Sequence, residues 1–253
     1  MAFLRFLIAL PFLVTFTFLR NRNAFKKQVL KDWKVFALLG LTGVTLQNLL
    51  QNVGLQFTTA SNASLIIAMN PVFIALFDYF YAKEKATLRL ILGVALAFFG
   101  IIFVIKPLEW SLHPMKVFGD FLCLGSALSW AFYSVLGRKV LSKYGANKMT
   151  TYLMVFGTLF LLPGSFLFEK PVLLISVFAL FMMLYLGVLC SGLAFLLWSR
   201  ALQDVPATKA GVFLFFIPVV SVAIAQIVLL EPLDLFFVIG TFLVMVGVAV
   251  TEL

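Results

Sequence analysis

Amide side chains are concentrated in one apolar stretch of the chain, Val35 to Phe57. Gln47 and Gln51 are four residues apart, as are Asn48 and Asn52, so each pair would share one face of a helix. Amides donate and accept hydrogen bonds without carrying charge, and polar groups inside a membrane helix usually face the interior of the helix bundle. This chemistry indicates the binding of a polar solute.

Residues outside this stretch complete a candidate binding pocket. Asn70 adds an amide, and Trp130 and Tyr133 add two aromatic rings at a spacing that places them on one helix face. We predict that the solute is bound by Gln47, Gln51, Asn70, Trp130 and Tyr133. The alternative stays equally open for each residue, because amides also join helices by hydrogen bonds and aromatic rings also pack in cores.

Ionisable residues give little indication of catalysis. The single histidine, His113, lies beside Pro114 with no Cys, His or carboxylate cluster around it, and no serine stands in a nucleophile motif. We therefore expect neither an enzyme nor a metal or cofactor. Arg5 and Asp78 come nearest to lying inside apolar runs, and neither is central. Asp78 could relay protons or pair with a lysine at the membrane surface, so the coupling ion stays open.

The composition determines which elements must position these side chains. Hydrophobic residues make up 63% of the 253 residues and charged residues 11%, and the mean hydropathy is +1.12, far outside the range of soluble domains. Nine apolar runs are long enough to cross a bilayer as helices, so we predict an all-α polytopic membrane protein. The predicted spans are Phe3 to Leu19, Val35 to Phe57, Ala60 to Tyr81, Leu88 to Ile105, Val117 to Leu141, Met149 to Phe168, Leu174 to Ser199, Ala207 to Leu230 and Leu235 to Leu253.

Basic residues are concentrated in alternate connections between these spans. Fifteen Lys and Arg residues lie in or beside the connections after the first, third, fifth and seventh spans, against three in the others. Connections rich in Lys and Arg stay in the cytoplasm. We therefore expect a multi-pass protein of the cell membrane whose basic loops and C terminus are cytoplasmic. Topology and contact with anionic headgroups explain the net charge of +9, so no nucleic-acid partner is expected.

The sequence repeats itself without a gap at an offset of 147 residues. The offset places the last four spans on the first four and leaves the fifth span without a counterpart. We therefore expect a first half, residues 1–107, of four spans with its first helix missing, and a second half, residues 108–253, of five. Five helices per half is an odd number, which predicts an inverted repeat. The recurring residues are Gly40 and Gly187, Ala60 and Ala207, Pro71 and Pro218, Glu84 and Glu231, Gly93 and Gly240, and Gly100 and Gly247.

The recurring prolines are expected to bend the spans, and the recurring glutamates are expected to stabilise the ends of helices. Pro71 and Pro218 lie within predicted spans, where proline removes a backbone hydrogen bond, so they are candidate hinges or purely structural kinks. Glu84 and Glu231 each precede a span, where a carboxylate meets the positive end of the helix dipole. Glu84 also has neighbouring lysines and could instead make a gating contact.

The recurring glycines form a face of small residues. Gly93, Ala97 and Gly100 share one helix face, and Gly240 and Gly247 repeat the outer positions. Small residues allow helices to approach closely. We predict packing seams here, with a homodimer face as the lesser alternative.

Three segments resemble the EamA-type drug/metabolite transporter superfamily: Gly54 to Pro107, Leu124 to Val140 and Ala201 to Val250. Each half carries the order Ala-x-x-Ala, Pro, Glu, Gly, Gly. The resemblance implies ten helices in an inverted five-plus-five plan around a central cavity. It also implies the transport of small metabolites such as amino acids, and we expect the direction of transport to be efflux. A nucleotide-sugar carrier is an alternative, although the predicted spans offer no Lys or Arg near their middles to meet phosphates. A non-transporting scaffold is another.

Overall fold

Helices make up the secondary structure that the computed structural model describes. It covers residues 2–20, 31–82, 88–105, 114–168, 177–204 and 235–252, with isolated positions at 210, 214, 217, 224 and 228. No strand occurs within these ranges. A chain in lipid must satisfy its own backbone hydrogen bonds, which favours helices, and the predicted all-α class is confirmed. Most of the predicted eighth span, including Pro218, lies outside the described residues. Glu84 and Glu231, which precede other predicted spans, also lie outside them.

The helices follow the predicted apolar runs along the chain. They are α1 (Ala2–Arg20), α2 (Trp33–Gly40), a π-helical segment π1 (Leu41–Leu46), α3 (Gln47–Gly54), α4 (Ala60–Ile67), α5 (Asn70–Ala82), α6 (Leu88–Ile105), α7 (Pro114–Tyr144), α8 (Ala146–Phe168), α9 (Val177–Leu184), a second π-helical segment π2 (Tyr185–Leu193), α10 (Ala194–Asp204) and α11 (Leu235–Glu252).

Five stretches of the described chain are long and apolar enough to cross a membrane. Helices α6, α8 and α11 occupy positions of predicted spans without belonging to these five, so the count of nine spans stays a prediction. The five stretches are Phe3–Arg20, Trp33–Gly54, Asn62–Tyr81, Pro114–Tyr144 and Val177–Asp204.

The two π-helical segments recur at the same offset as the sequence repeat. π1 ends at Leu46 and π2 at Leu193, its counterpart 147 residues later. π-helical turns are rare and are frequently found at functional sites. In and beside π1, threonines supply hydrogen bonds to backbone carbonyls: Thr42 Oγ1 donates to Leu38 O at 2.9 Å, and Thr45 Oγ1 donates to Gly157 O at 3.0 Å.

Contacts between residues divide the chain into two compact units. The first combines Met1–Leu49 with Leu136–Val205, and the second combines Leu50–Val135 with Pro206–Leu253. Each unit takes segments from both predicted halves, 1–107 and 108–253. The compact units and the sequence halves are therefore different divisions of the chain.

Glycine allows close helix contacts in the first unit. α1 packs on π2 and α8, while α2 and π1 pack on α8. A Cβ atom added to Gly40 would lie 2.6 Å from Leu153 O, and one added to Gly187 would lie 2.9 Å from Arg5 O. Both distances are too short for a real Cβ contact, so this recurring glycine is required by the approach of a neighbouring backbone.

In the second unit, α6 packs along α11, its counterpart at the offset of 147. A Cβ on Gly100 would lie 2.7 Å from Gly240 O, and one on Gly247 would lie 2.6 Å from Gly93 O. The two contacts pair the far end of each helix with the near end of the other, so the helices run antiparallel. The predicted small-residue seam thus joins two helices of one chain.

The predicted third span is interrupted next to Pro71. α4 ends at Ile67 and α5 begins at Asn70, so Pro71 occupies the first turn of the new helix, where its missing N–H is tolerated. Met69 N donates to Ile66 O at 3.1 Å across the break. The break has the position expected of a hinge, and a hinge function stays a prediction.

We predict that Gly247→Ala destabilises the protein by about 1–3 kcal/mol, because the added methyl would meet the backbone of α6. The measurement is thermal unfolding of purified protein in detergent. Gly125→Ala is the matched control, since its Cβ would lie 3.3 Å from the end of the flexible Leu50 side chain. Equal stability of the two variants would contradict the assigned close approach.

Candidate functional site

Asn48 organises a polar cluster in the first unit. Its Nδ2 donates to Val44 O at 2.8 Å and to Gln47 Oε1 at 2.6 Å. These two bonds use both amide hydrogens, so the carbonyl oxygen is left to accept, and Arg5 Nη2 donates to it at 2.5 Å. The bond to Val44 O anchors the amide on the π1 segment, so the helix distortion and the orientation of Asn48 are linked.

Arg5 lies deeper than the sequence indicated. It stands near the start of α1, yet its guanidinium contacts Asn48 in the interior of the Trp33–Gly54 stretch. Its backbone also lies close to Gly187, in the interior of Val177–Asp204: a Cβ atom on Gly187 would lie 2.9 Å from Arg5 O. Position along its own helix was a poor guide, because the start of α1 lies against the interior of both neighbouring stretches. The expectation that Arg5 is not central is therefore wrong relative to these two neighbouring helices.

The predicted pocket residues are distributed over the two units. Gln47 belongs to the first unit, whereas Gln51, Asn70, Trp130 and Tyr133 belong to the second. Within the second unit, Trp130 and Tyr133 contact each other with ring centroids 5.2 Å apart, and Tyr133 is completely buried. The predicted aromatic pair is thus formed, and its role in binding stays a prediction.

Asn70 has an unusual environment at the start of α5. Its side chain is 5% exposed, and its Oδ1 atom has no hydrogen-bond partner among the residues that the structure describes. Leaving a buried carbonyl unsatisfied costs about 1–3 kcal/mol. Such a group is a candidate for bonding a ligand, which agrees with the predicted role of Asn70.

Asp120 is a buried carboxylate that the sequence pattern did not indicate as a site residue. It is 0% exposed and accepts hydrogen bonds from Thr58 Oγ1 and, at 3.5 Å, from Asn62 Nδ2. Lys116 lies one turn earlier on α7. The signal was present, because the predicted span from Val117 to Leu141 contains this aspartate near its start.

The geometry around Asp120 explains why it can be buried. A Cβ on Gly54 would lie 2.8 Å from Gly119 O, and one on Gly119 would lie 2.7 Å from Gly54 O. This mutual approach brings the start of α7 against the turn after α3, where Thr58 is found. Through its hydrogen bond with Thr58, Asp120 therefore connects α7 to the turn that leads into α4.

A second polar cluster lies at one end of the first unit. Asp32, just before α2, accepts hydrogen bonds from Lys143 Nζ and from Tyr144 Oη, the latter at 2.5 Å. The bond from Lys143, followed by that from Tyr144, holds the pKa of the Asp32 carboxyl below its ordinary value. Nearby helix ends are joined by Arg200 Nη2, which donates to Asn147 Oδ1 at 3.3 Å.

These features define a class of protein: a helical membrane protein with polar groups held inside apolar helices and with π-helical segments that end at two positions 147 residues apart. The sequence profile of the EamA-like transporter family matches residues 1–106 and again 117–253. The chain belongs to this family. Its members are transporters, which confirms the expectation of a transporter rather than an enzyme.

Several curated relatives carry transporter names. An "Uncharacterized transporter" of Archaeoglobus fulgidus is 34% identical over 99% of this chain and 86% of its own length. "Uncharacterized transporter YyaM" of Bacillus subtilis is 31% identical over 88% of this chain and 74% of its own. A "Probable terminal-alkyne amino-acid exporter" of Streptantibioticus cattleyicolor is 28% identical over 77% of this chain and 65% of its own.

A solved crystal structure shares the fold of this chain. It superimposes with a TM-score of 0.67 at 20% identity, covering 99% of this chain and 86% of the other. At this identity the likeness concerns the fold alone.

We predict that Asp120→Ala and Thr58→Val each destabilise the protein by about 1–3 kcal/mol, because each leaves a buried polar partner unsatisfied. In the double variant the losses should be less than additive, since both remove the same bond. Thermal unfolding in detergent measures the effect, with the exposed Asp204→Ala as control. Strictly additive losses would show that the two side chains do not depend on each other.

Proposed function

We propose that the chain is a secondary transporter that exports small amino-acid-like metabolites. Two inverted halves, residues 1–107 and 108–253, would alternate access to a central cavity between them. Membership of a transporter family and the two separate matches of one family profile support this proposal. The name of the Streptantibioticus relative supports an amino-acid-like substrate.

The observation that carries the inverted arrangement is the reciprocal contact of α6 and α11. Gly100 meets Gly240, and Gly247 meets Gly93, so each helix makes the same contact with its counterpart in the opposite direction. Two copies of one element pack in this way when a two-fold axis relates them. In a membrane, an antiparallel pair so related belongs to halves of opposite orientation.

Three helix distortions are positions at which the two halves could move relative to each other during transport. π1, π2 and the break before Pro71 each interrupt an apolar stretch, and π1 and π2 recur at the repeat offset. Irregular backbone inside a membrane is tolerated where it is buried in protein or lines a cavity. We assign these three points to the pivots of alternating access.

The substrate is proposed to contact the amides and rings selected from the sequence. Asn70 supports this best, because its buried Oδ1 has no partner in the described part of the chain. Gln47 belongs to the cluster that holds Arg5. Gln51, Trp130 and Tyr133 complete the proposed pocket.

The basic ends of the helices are proposed to face the cytoplasm. The contacts of Asp32 with Lys143, and of Arg200 with Asn147, bring three basic connections to one end of the first unit. Charge segregation of this kind is typical of the cytoplasmic side.

We expect Gln47→Ala, Asn70→Ala and Trp130→Ala to lower transport of the best solute about two- to tenfold at low concentration, the loss of about one neutral hydrogen bond or ring contact. The assay measures counterflow of a panel of radiolabelled amino acids into proteoliposomes. Asn52→Ala is the matched control, because it removes an exposed amide from the helix that carries Gln51. A wild-type protein that moves no solute refutes the function, and unchanged variants refute the pocket.

We expect single-cysteine variants at the two ends of α7 to react from opposite sides of the membrane. With Cys123 and Cys190 replaced by alanine, Lys143→Cys should react with an impermeant maleimide from the cytoplasmic side. Met115→Cys should react only from the outside, because the two exposed positions lie at opposite ends of a 31-residue helix. Reaction of both from one side would refute the orientation.

A further inference from the structure

Among the described residues, the Arg5 guanidinium has no acidic partner. Among the described residues it meets the Asn48 amide oxygen at 2.5 Å and the Phe6 ring at 4.8 Å, and no carboxylate pairs with it. Its Nε atom is buried and has no hydrogen-bond partner within the described ranges. A guanidinium has five N–H donors, and this cluster uses one of them.

A charge in this position requires an explanation. Ionised groups inside a membrane protein are costly, and those that occur there pair with other groups or serve transport. A neutral amide and an aromatic face offset part of the cost, but they leave the positive charge uncompensated. The side chain is also partly exposed.

The surroundings fix the guanidinium in one place. Both Nδ2 hydrogens of Asn48 are used by Val44 O and Gln47 Oε1, so its oxygen must face Arg5. On the other side, Gly187 permits the close approach of π2 to the backbone of Arg5. The cation is therefore positioned in advance, as a site that recognises an anion requires.

We infer that Arg5 binds the carboxylate of the transported solute and that Asn48 and Gln47 hold its guanidinium in position. The inference rests on the proposed transport function and adds the charged group that the substrate must carry. A guanidinium matches a carboxylate through two parallel hydrogen bonds. The site thus selects amino acids or other monocarboxylates over their uncharged analogues.

A carboxylate fits the site better than a phosphate. A phosphate monoester carries a charge of about −1.5 to −2 at neutral pH, and sites for it usually gather several cations. The other described Lys and Arg residues of the first unit lie at or near helix ends: Arg20, Lys31, Lys34, Arg138, Lys139, Lys143, Lys148 and Arg200. One central guanidinium balances one negative charge.

The test compares paired probes on the purified full chain. L-Amino acids, their carboxamides and inorganic phosphate are assayed by ligand-induced thermal stabilisation and by counterflow in proteoliposomes. We expect wild-type protein to bind amino acids and to ignore the carboxamides and phosphate. Arg5→Gln should weaken amino-acid binding about 10- to 100-fold, the loss expected for a charge-assisted bond, and Arg5→Lys should retain part of it.

Arg200→Gln is the matched control. Arg200 also donates from Nη2 to an asparagine oxygen in the first unit, but it does so at a helix end. We expect this variant to bind amino acids as wild type does. If Arg5→Gln folds poorly, amino-acid binding by Arg5→Lys is compared with that of wild type instead. A thermal unfolding midpoint near that of wild type shows that this variant is folded.

The possible results distinguish failure of the carboxylate assignment from failure of the transport function. If wild-type protein moves amino acids and carboxamides equally, or if Arg5→Gln and Arg5→Lys bind amino acids as tightly as wild type, the carboxylate assignment is wrong while the transporter stands. Preference for phosphate overturns it as well. If wild-type protein moves no probe, the proposed function fails and the inference fails with it.

Discussion

Close backbone approach at glycine is the constraint on which the described structure depends. Apolar side chains gain little by leaving lipid for a neighbouring helix, so helices in a bilayer are held by packing and by polar contacts. At Gly40, Gly187 and Gly247 a single methyl group would collide with the backbone of a neighbour. The polar contacts in both units follow from this packing: Gly54 with Gly119 brings Asp120 to Thr58, and Gly187 brings π2 against α1.

The sequence predicted the features that depend on residue type. The glycine seam of α6 and α11, the break beside Pro71 and the contact of Trp130 with Tyr133 follow from spacing and from the known chemistry of these residues. Helical class follows from composition, because lipid leaves the backbone no other partner.

The features that the sequence did not reveal depend on three-dimensional offsets. The contact of Arg5 with Asn48 and Gly187 depends on how α1 is placed along its neighbours, and no local pattern records that placement. π1 and π2 are shifts of the helical hydrogen-bond register that apolar periodicity does not resolve. Asp120 was overlooked for a different reason: it stands near a predicted boundary, where a carboxylate usually reaches water, whereas the approach of Gly54 to Gly119 encloses it.

The position that carries Asn48 has a counterpart, Phe195, 147 residues later. Asn48 bonds the guanidinium of Arg5, while Phe195 packs edge-on against Phe6, the ring that lies under the same guanidinium. Two positions that correspond in the repeat thus carry different chemistry beside the same pair of residues: the amide of Asn48 bonds the cation of Arg5, and the ring of Phe195 packs on the ring of Phe6. The repeated scaffold is therefore asymmetric at this point, polar on the side of Asn48 and apolar on the side of Phe195.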